Sequence, residues 1–178
     1  MIKYLLISFL LIGLEACSSI STTSDYNPEL DFTTYGTYII YDGIIKDSQL
    51  ESVPLAKKRV SEAINNEMQK KGMTPADSTN ASIIIFAHAG TTEKMNVTDY
   101  GYGYGGWWGP NPYGRNIDVS YYTQASLVID FVDNEKDELV WRGIGTAALQ
   151  DQGTPEERQA FIDEAVEKIL SQYPPVKE

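Results

Sequence analysis

The segment that most restricts the fold is residues 121–132, YYTQASLVIDFV. Tyr121, Thr123, Ala125, Leu127, Ile129 and Phe131 occupy one set of alternate positions, and Gln124, Ser126 and Asp130 occupy the other. Side chains alternate faces along a strand, so this pattern predicts a β-strand with one face buried. Residues 133–137 form a polar turn, and residues 139–149 (LVWRGIGTAAL) predict the returning arm of a hairpin. Gly143 and Gly145 within that arm predict a bulge or a close approach to a neighbouring element. Upstream, residues 81–89 (ASIIIFAHA) are apolar at both sets of positions, which predicts a central strand covered on both sides. Residues 37–41 (TYIIY) carry the β-branched and aromatic side chains of a further strand, and Asp42-Gly43 ends it with turn chemistry.

A half-buried sheet needs cover, and two segments offer it. In residues 52–72, Val53, Ala56, Val60, Ala63, Ile64 and Met68 recur at steps of three and four, the signature of one helix face. Gly72 stands where a left-handed cap would end that helix. Thr154-Pro155-Glu156-Glu157 combines a capping box with proline at the first helical position. Phe161, Ile162, Ala165, Val166, Ile169 and Leu170 then form an apolar stripe, ended by Pro174-Pro175. The expected architecture is a single α+β domain over residues 25–175. It has an antiparallel-rich sheet of four to five strands, with both amphipathic helices on one face.

The N-terminus carries different information. Lys3 followed by the apolar run of residues 4–14 has the basic flank and length of a secretory signal, and is too short for a comfortable membrane span. Leu14-Glu15-Ala16-Cys17 looks like a bacterial lipobox, with Glu15 in place of the usual apolar or small residue. Cys17 is the one cysteine of the 178-residue chain, so no intramolecular disulfide can form. Residues 1–16 are therefore expected to be a signal peptide, and Cys17 the site of lipidation. Residues 17–24 are expected to be a polar tether. Acyl chains on Cys17 make the bilayer a partner, each buried methylene adding about 0.8 kcal/mol of membrane affinity. Ser18 stands where an aspartate would signal retention in the inner membrane, so the protein is expected in the cell envelope, at the outer membrane. The net charge of -11, without a basic stripe, disfavours nucleic acid as a partner.

Residues 100–114 (YGYGYGGWWGPNPYG) pose the main chemical question. Gly101, Gly103 and Gly106 satisfy G-x-G-x-x-G, but Pro110 and Pro112 forbid the helix that a phosphate-binding fingerprint requires. Tyr102, Tyr104, Trp107, Trp108 and Tyr113 suit either of two roles: a loop covering the far side of the sheet, or a platform stacking on a sugar or small ligand. The first is the expected role. His88, the one histidine, is expected to be packed beside its strand. Asp130, Asp133, Asp137 and Glu138 lack the ligand order of an EF-hand, so no metal is expected. Arg142 beside Trp141 suits an anion or a stack on its neighbours. No nucleophile elbow or Cys–His pair is present, so no catalytic residue, cofactor or enzyme activity is assigned.

Several stretches fall in a familiar order. They are the lipobox at Cys17, DYNPELDFTTYGTY (25–38), KKGM (70–73), ASIIIFAHA, the glycine-aromatic segment, ASLVIDFVDNEKDELVWRG (125–143) and YPP (173–175). The chain resembles the bacterial lipoprotein family catalogued as domain of unknown function 4136. The resemblance implies an exported, lipid-anchored α+β domain and carries no catalytic residue. The expected function is a membrane-anchored envelope lipoprotein with a structural or protein-interaction domain. The alternative is a small-ligand or glycan-binding module using the Tyr/Trp/Gly-rich segment.

Overall fold

The segments with period-two patterning pair into one mixed sheet, and the two helical segments pack on one of its faces. In the computed structural model, residues 20–99, 117–149 and 153–176 are described. Chain order runs β1 (Ser21–Tyr26), a 3-10 turn at Phe32–Thr34, β2 (Thr37–Ile40), a second 3-10 turn at Gln49–Ser52, and α1 (Pro54–Lys70). It continues with β3 (Thr74–Pro75), β4 (Ile83–Asp99), β5 (Ile117–Asp133), β6 (Glu138–Ala148) and α2 (Pro155–Leu170).

The described sheet has six strands in the order β1-β6-β5-β4-β2-β3. The sheet thus exceeds the expected four to five strands, while the expected antiparallel character holds for the block β1-β6-β5-β4, whose neighbours are all antiparallel. Beyond it, β2 lies parallel to β4 and to β3. The crossover a parallel β2–β3 pair requires is supplied by α1. β1 includes residues 21–24, which were expected in the tether, so the fold begins earlier than the sequence suggests. STTSDY has no apolar alternation because β1 is an edge strand, mostly exposed, held by backbone pairing to β6. β3 is an exposed two-residue edge, where proline is tolerated.

One face of the sheet carries the core. Ile83 and Ile85 of β4, Ile129 and Phe131 of β5, and Trp141 of β6 are fully buried. They meet Val60, Ala63, Ile64 and Met68 of α1 and Val166, Ile169 and Leu170 of α2. Val53 and Phe161, expected in the apolar stripes, are exposed: Val53 is the N-cap of α1, and Phe161 lies beside Ile162, which takes the core-facing place in that turn of α2. The double cover expected for residues 81–89 is found on one side; Ile84, Phe86 and His88 on the other are half-buried.

Local signals act as expected. Thr154 accepts a hydrogen bond from the Glu157 N–H, and Glu157 returns one from the Thr154 N–H, completing the capping box. Gly72 has φ +81°, the left-handed conformation that favours glycine. The bulge in β6 lies at Val140 rather than at a glycine: Phe131 opposes Trp141 while Val132 opposes Leu139. This extra residue lets Val140 and Trp141, neighbours in sequence, both be buried. Gly143 and Gly145 instead give close packing, with Ile169 of α2 seated on them.

Candidate functional site

Two polar centres sit at different places on the sheet. The first lies at the β5–β6 turn, where Asp133 ends β5 on the core side. Its Oδ1 accepts the N–H groups of Glu135 and Lys136, both at 3.0 Å, so the carboxylate shapes the turn. Its Oδ2 accepts the Tyr35 hydroxyl at 2.8 Å, joining the segment before β2 to a turn 98 residues away in sequence. Asn134 adds a second tie, its Nδ2 donating to the Ser78 and Ala81 carbonyls at 2.9 and 2.8 Å. A cavity of about 710 Å³ opens here, with Glu29, Tyr35, Ser82, Asp133 and Lys136 among its lining residues.

The electrostatics of this centre favour a clamp over a catalytic pair. Burial alone would raise the Asp133 pKa, but hydrogen bonds from Tyr35, Lys136 and Glu135, with the Lys136 charge, hold it below the usual value. Burial first, then the hydrogen bond to Asp133 and its charge, push Tyr35 up to about 12. A carboxylate held ionised and a phenol held protonated at neutral pH are matched to each other, not poised to exchange a proton with substrate.

The second centre is on the helix-free face. Asp130 and Arg142 oppose each other across β5 and β6. The Arg142 fork engages the carboxylate bidentately, Nε to Oδ1 at 2.6 Å and Nη2 to Oδ2 at 2.7 Å. The bond to Asp130 raises the Arg142 pKa further. His88 of β4 approaches the same carboxylate, Nε2 to Oδ2 at 3.4 Å. His88 is thus packed beside Asp130, and Arg142 is neither free for an anion nor stacked on Trp141. Those two residues point to opposite faces of β6, as alternation requires.

The acidic cluster of the sequence is dispersed by the same alternation. Asp130 faces the open side and Asp133 the core side, so they cannot share an ion. Among the described residues, no group of three or more His, Cys, Asp or Glu side chains is placed to hold a metal. Cys17, Tyr102, Tyr104, Trp107, Trp108 and Tyr113 lie outside the described residues. The residues that flank the segment 100–116 are described: Asp99 pairs with Ile117 at the last rung of the β4–β5 ladder. The Tyr35–Asp133 clamp was missed in the sequence. Its one signal was an aspartate occupying a core-side position at the end of an alternating strand.

The arrangement defines a single α+β domain, a six-stranded mixed sheet backed by two helices. The same fold occurs in a PDZ domain protein from Parabacteroides distasonis, with a TM-score of 0.55 at 15% identity. That match covers 90% of this chain, which spans only 36% of that longer protein. A DUF4136 family protein from Bacteroides thetaiotaomicron matches with a TM-score of 0.53 at 21% identity, over 88% of this chain and 97% of its own. No curated protein matches the sequence. The family model for Domain of unknown function (DUF4136) matches residues 22–175, and the chain belongs to that family.

Proposed function

We propose that the protein is a cell-envelope lipoprotein, anchored to the outer membrane by acylated Cys17, whose domain has a structural or protein-interaction role. The observation that carries this reading is the start of β1 at Ser21, four residues after Cys17. A fold that begins so close to a lipid-bearing cysteine is held against the bilayer rather than displayed on a stalk. The reading assigns no reaction, and the engagement of Asp133 by Tyr35 and of Asp130 by Arg142 supports it. Cys17→Ser tests the anchor: a fatty-acid probe should label the wild type and leave the variant unlabelled as an unprocessed precursor. Equal label on both would refute it.

A second reading is favoured by the length of the β4–β5 ladder, whose last described rung, Asp99–Ile117, lies well beyond the end of the β5–β6 ladder at Gln124–Ala148. In that reading Tyr102, Tyr104, Trp107, Trp108 and Tyr113 bind a glycan or small ligand. Retention on peptidoglycan that is lost in Trp107→Ala and Trp108→Ala, with stability unchanged, would support it.

A further inference from the structure

We infer that the domain rests on the bilayer through the end of the sheet where β1 starts, together with the β4–β5 arm that projects from that end. The inference rests on the anchored reading above and adds an orientation to it. Ser21 opposes Thr146, Thr146 opposes Ser126, and Ser126 opposes Gly90, so one row crosses the sheet at the point where the chain enters β1. The β5–β6 ladder stops at Gln124–Ala148, whereas the β4–β5 ladder continues to Asp99–Ile117. From Ser126 to Ile117 at about 3.3 Å per residue, the arm extends roughly 30 Å beyond the entry row.

The tether is shorter than the arm. Cys17 to Ser21 spans at most about 14 Å when fully extended. A domain held end-on at that reach cannot keep the arm clear of the membrane. The arm must lie along the interface or enter it. Tipping the sheet onto its β1 edge still leaves β5 only two strand spacings, about 10 Å, from that edge.

The side chains of this end fit a lipid surface. Leu149, whose N–H donates to the Thr123 carbonyl, is exposed, as is Tyr122 on the arm. Val53 and Leu55 are also exposed, Leu55 at 66%. They follow a segment fastened to the same end of β4, where Gln49 Nε2 donates to Thr91 Oγ1 and the Ala89 N–H donates to Ser48 Oγ. Farther out, the β4–β5 ladder runs on through the rungs Met95–Tyr121 and Val97–Val119 to Asp99–Ile117. With a net charge of -11, the contact must come from apolar burial at the interface, not from attraction to anionic headgroups.

The test uses the full lipidated protein reconstituted into phosphatidylethanolamine and phosphatidylglycerol vesicles. Acylation occupies the one native thiol, so Thr98→Cys, Leu55→Cys and Lys136→Cys each provide a single site for bimane. Lipids brominated in the acyl chain should quench the probe at positions 98 and 55. At position 136, in the turn at the opposite end of the sheet, intensity should be unchanged. Protein that floats with the vesicles yet shows the same quenching at all three sites overturns the orientation. Protein that does not float overturns the anchored reading, and this inference with it.

Discussion

Replacing Gly143 by alanine measures how closely α2 sits on the sheet. An added Cβ there would overlap Trp141 Cη2 and come within 2.5 Å of Ile169 Cγ2. Trp141 and Ile169 are both fully buried, so neither can swing aside into solvent. At Gly145 the obstruction is milder, Ile169 Cδ1 at 2.8 Å and Cγ1 at 3.0 Å, and Cδ1 is the movable end of its side chain. At Gly36 an added Cβ meets nothing within 4 Å. Overpacking a core costs about 1–3 kcal/mol, while replacing glycine restores about 0.4–1 kcal/mol through the unfolded chain. Gly143→Ala should therefore lose about 2 kcal/mol and Gly145→Ala about 1 kcal/mol, while Gly36→Ala should gain about 0.4–1 kcal/mol. Urea denaturation followed by tryptophan fluorescence, with the slope held constant, gives the differences. Ile169→Val removes Cδ1 and keeps Cγ2, so it should relieve Gly145→Ala more than Gly143→Ala in a double-mutant cycle. Equal losses at all three glycines, or full relief of Gly143→Ala by Ile169→Val, would refute the packing argument.

Three further outcomes can be measured on the same domain. Leu170→Ala truncates a fully buried side chain of α2 and should cost about 2–5 kcal/mol in denaturant; a loss below about 1 kcal/mol would contradict the assigned face. Tyr173 packs against Phe131, with ring centroids 4.6 Å apart, and its buried hydroxyl has no hydrogen-bond partner among the described residues. Tyr173→Phe should thus leave stability unchanged or raise it by about 1 kcal/mol, and a clear loss would mean the hydroxyl is satisfied. The Tyr35–Asp133 clamp should shape both pH limits of stability. The Tyr35 pKa is raised from 10.0 to about 12, so its contribution is complete below pH 10 and is lost as pH rises towards 12. Asp133 has a lowered pKa, so its contribution is present above the ordinary carboxylate range and lost as pH falls through the lowered value. Denaturation midpoints against pH should lose part of the alkaline decline in Tyr35→Phe, the raised Tyr38 and Tyr173 keeping the rest, and part of the acid decline in Asp133→Asn.

The sequence by itself determined the features whose energetics are local. The α2 start is read from Thr154 and Glu157, three residues apart, and the left-handed end of α1 from Gly72. The faces of β5 are read from alternation, because a strand with one buried side must place Ile129 and Phe131 together. Tertiary structure decided what depends on partners distant in the chain. β1 is polar and forms because β6 offers an unpaired edge; nothing within STTSDY requires a strand. β2 takes a parallel place beside β4 because α1 carries the chain across the sheet. Asp133 needs Tyr35, and the one-residue shift at Val140 sets Arg142 opposite Asp130. Such pairings draw their energy from groups brought together only when the whole sheet closes, so no local pattern encodes them.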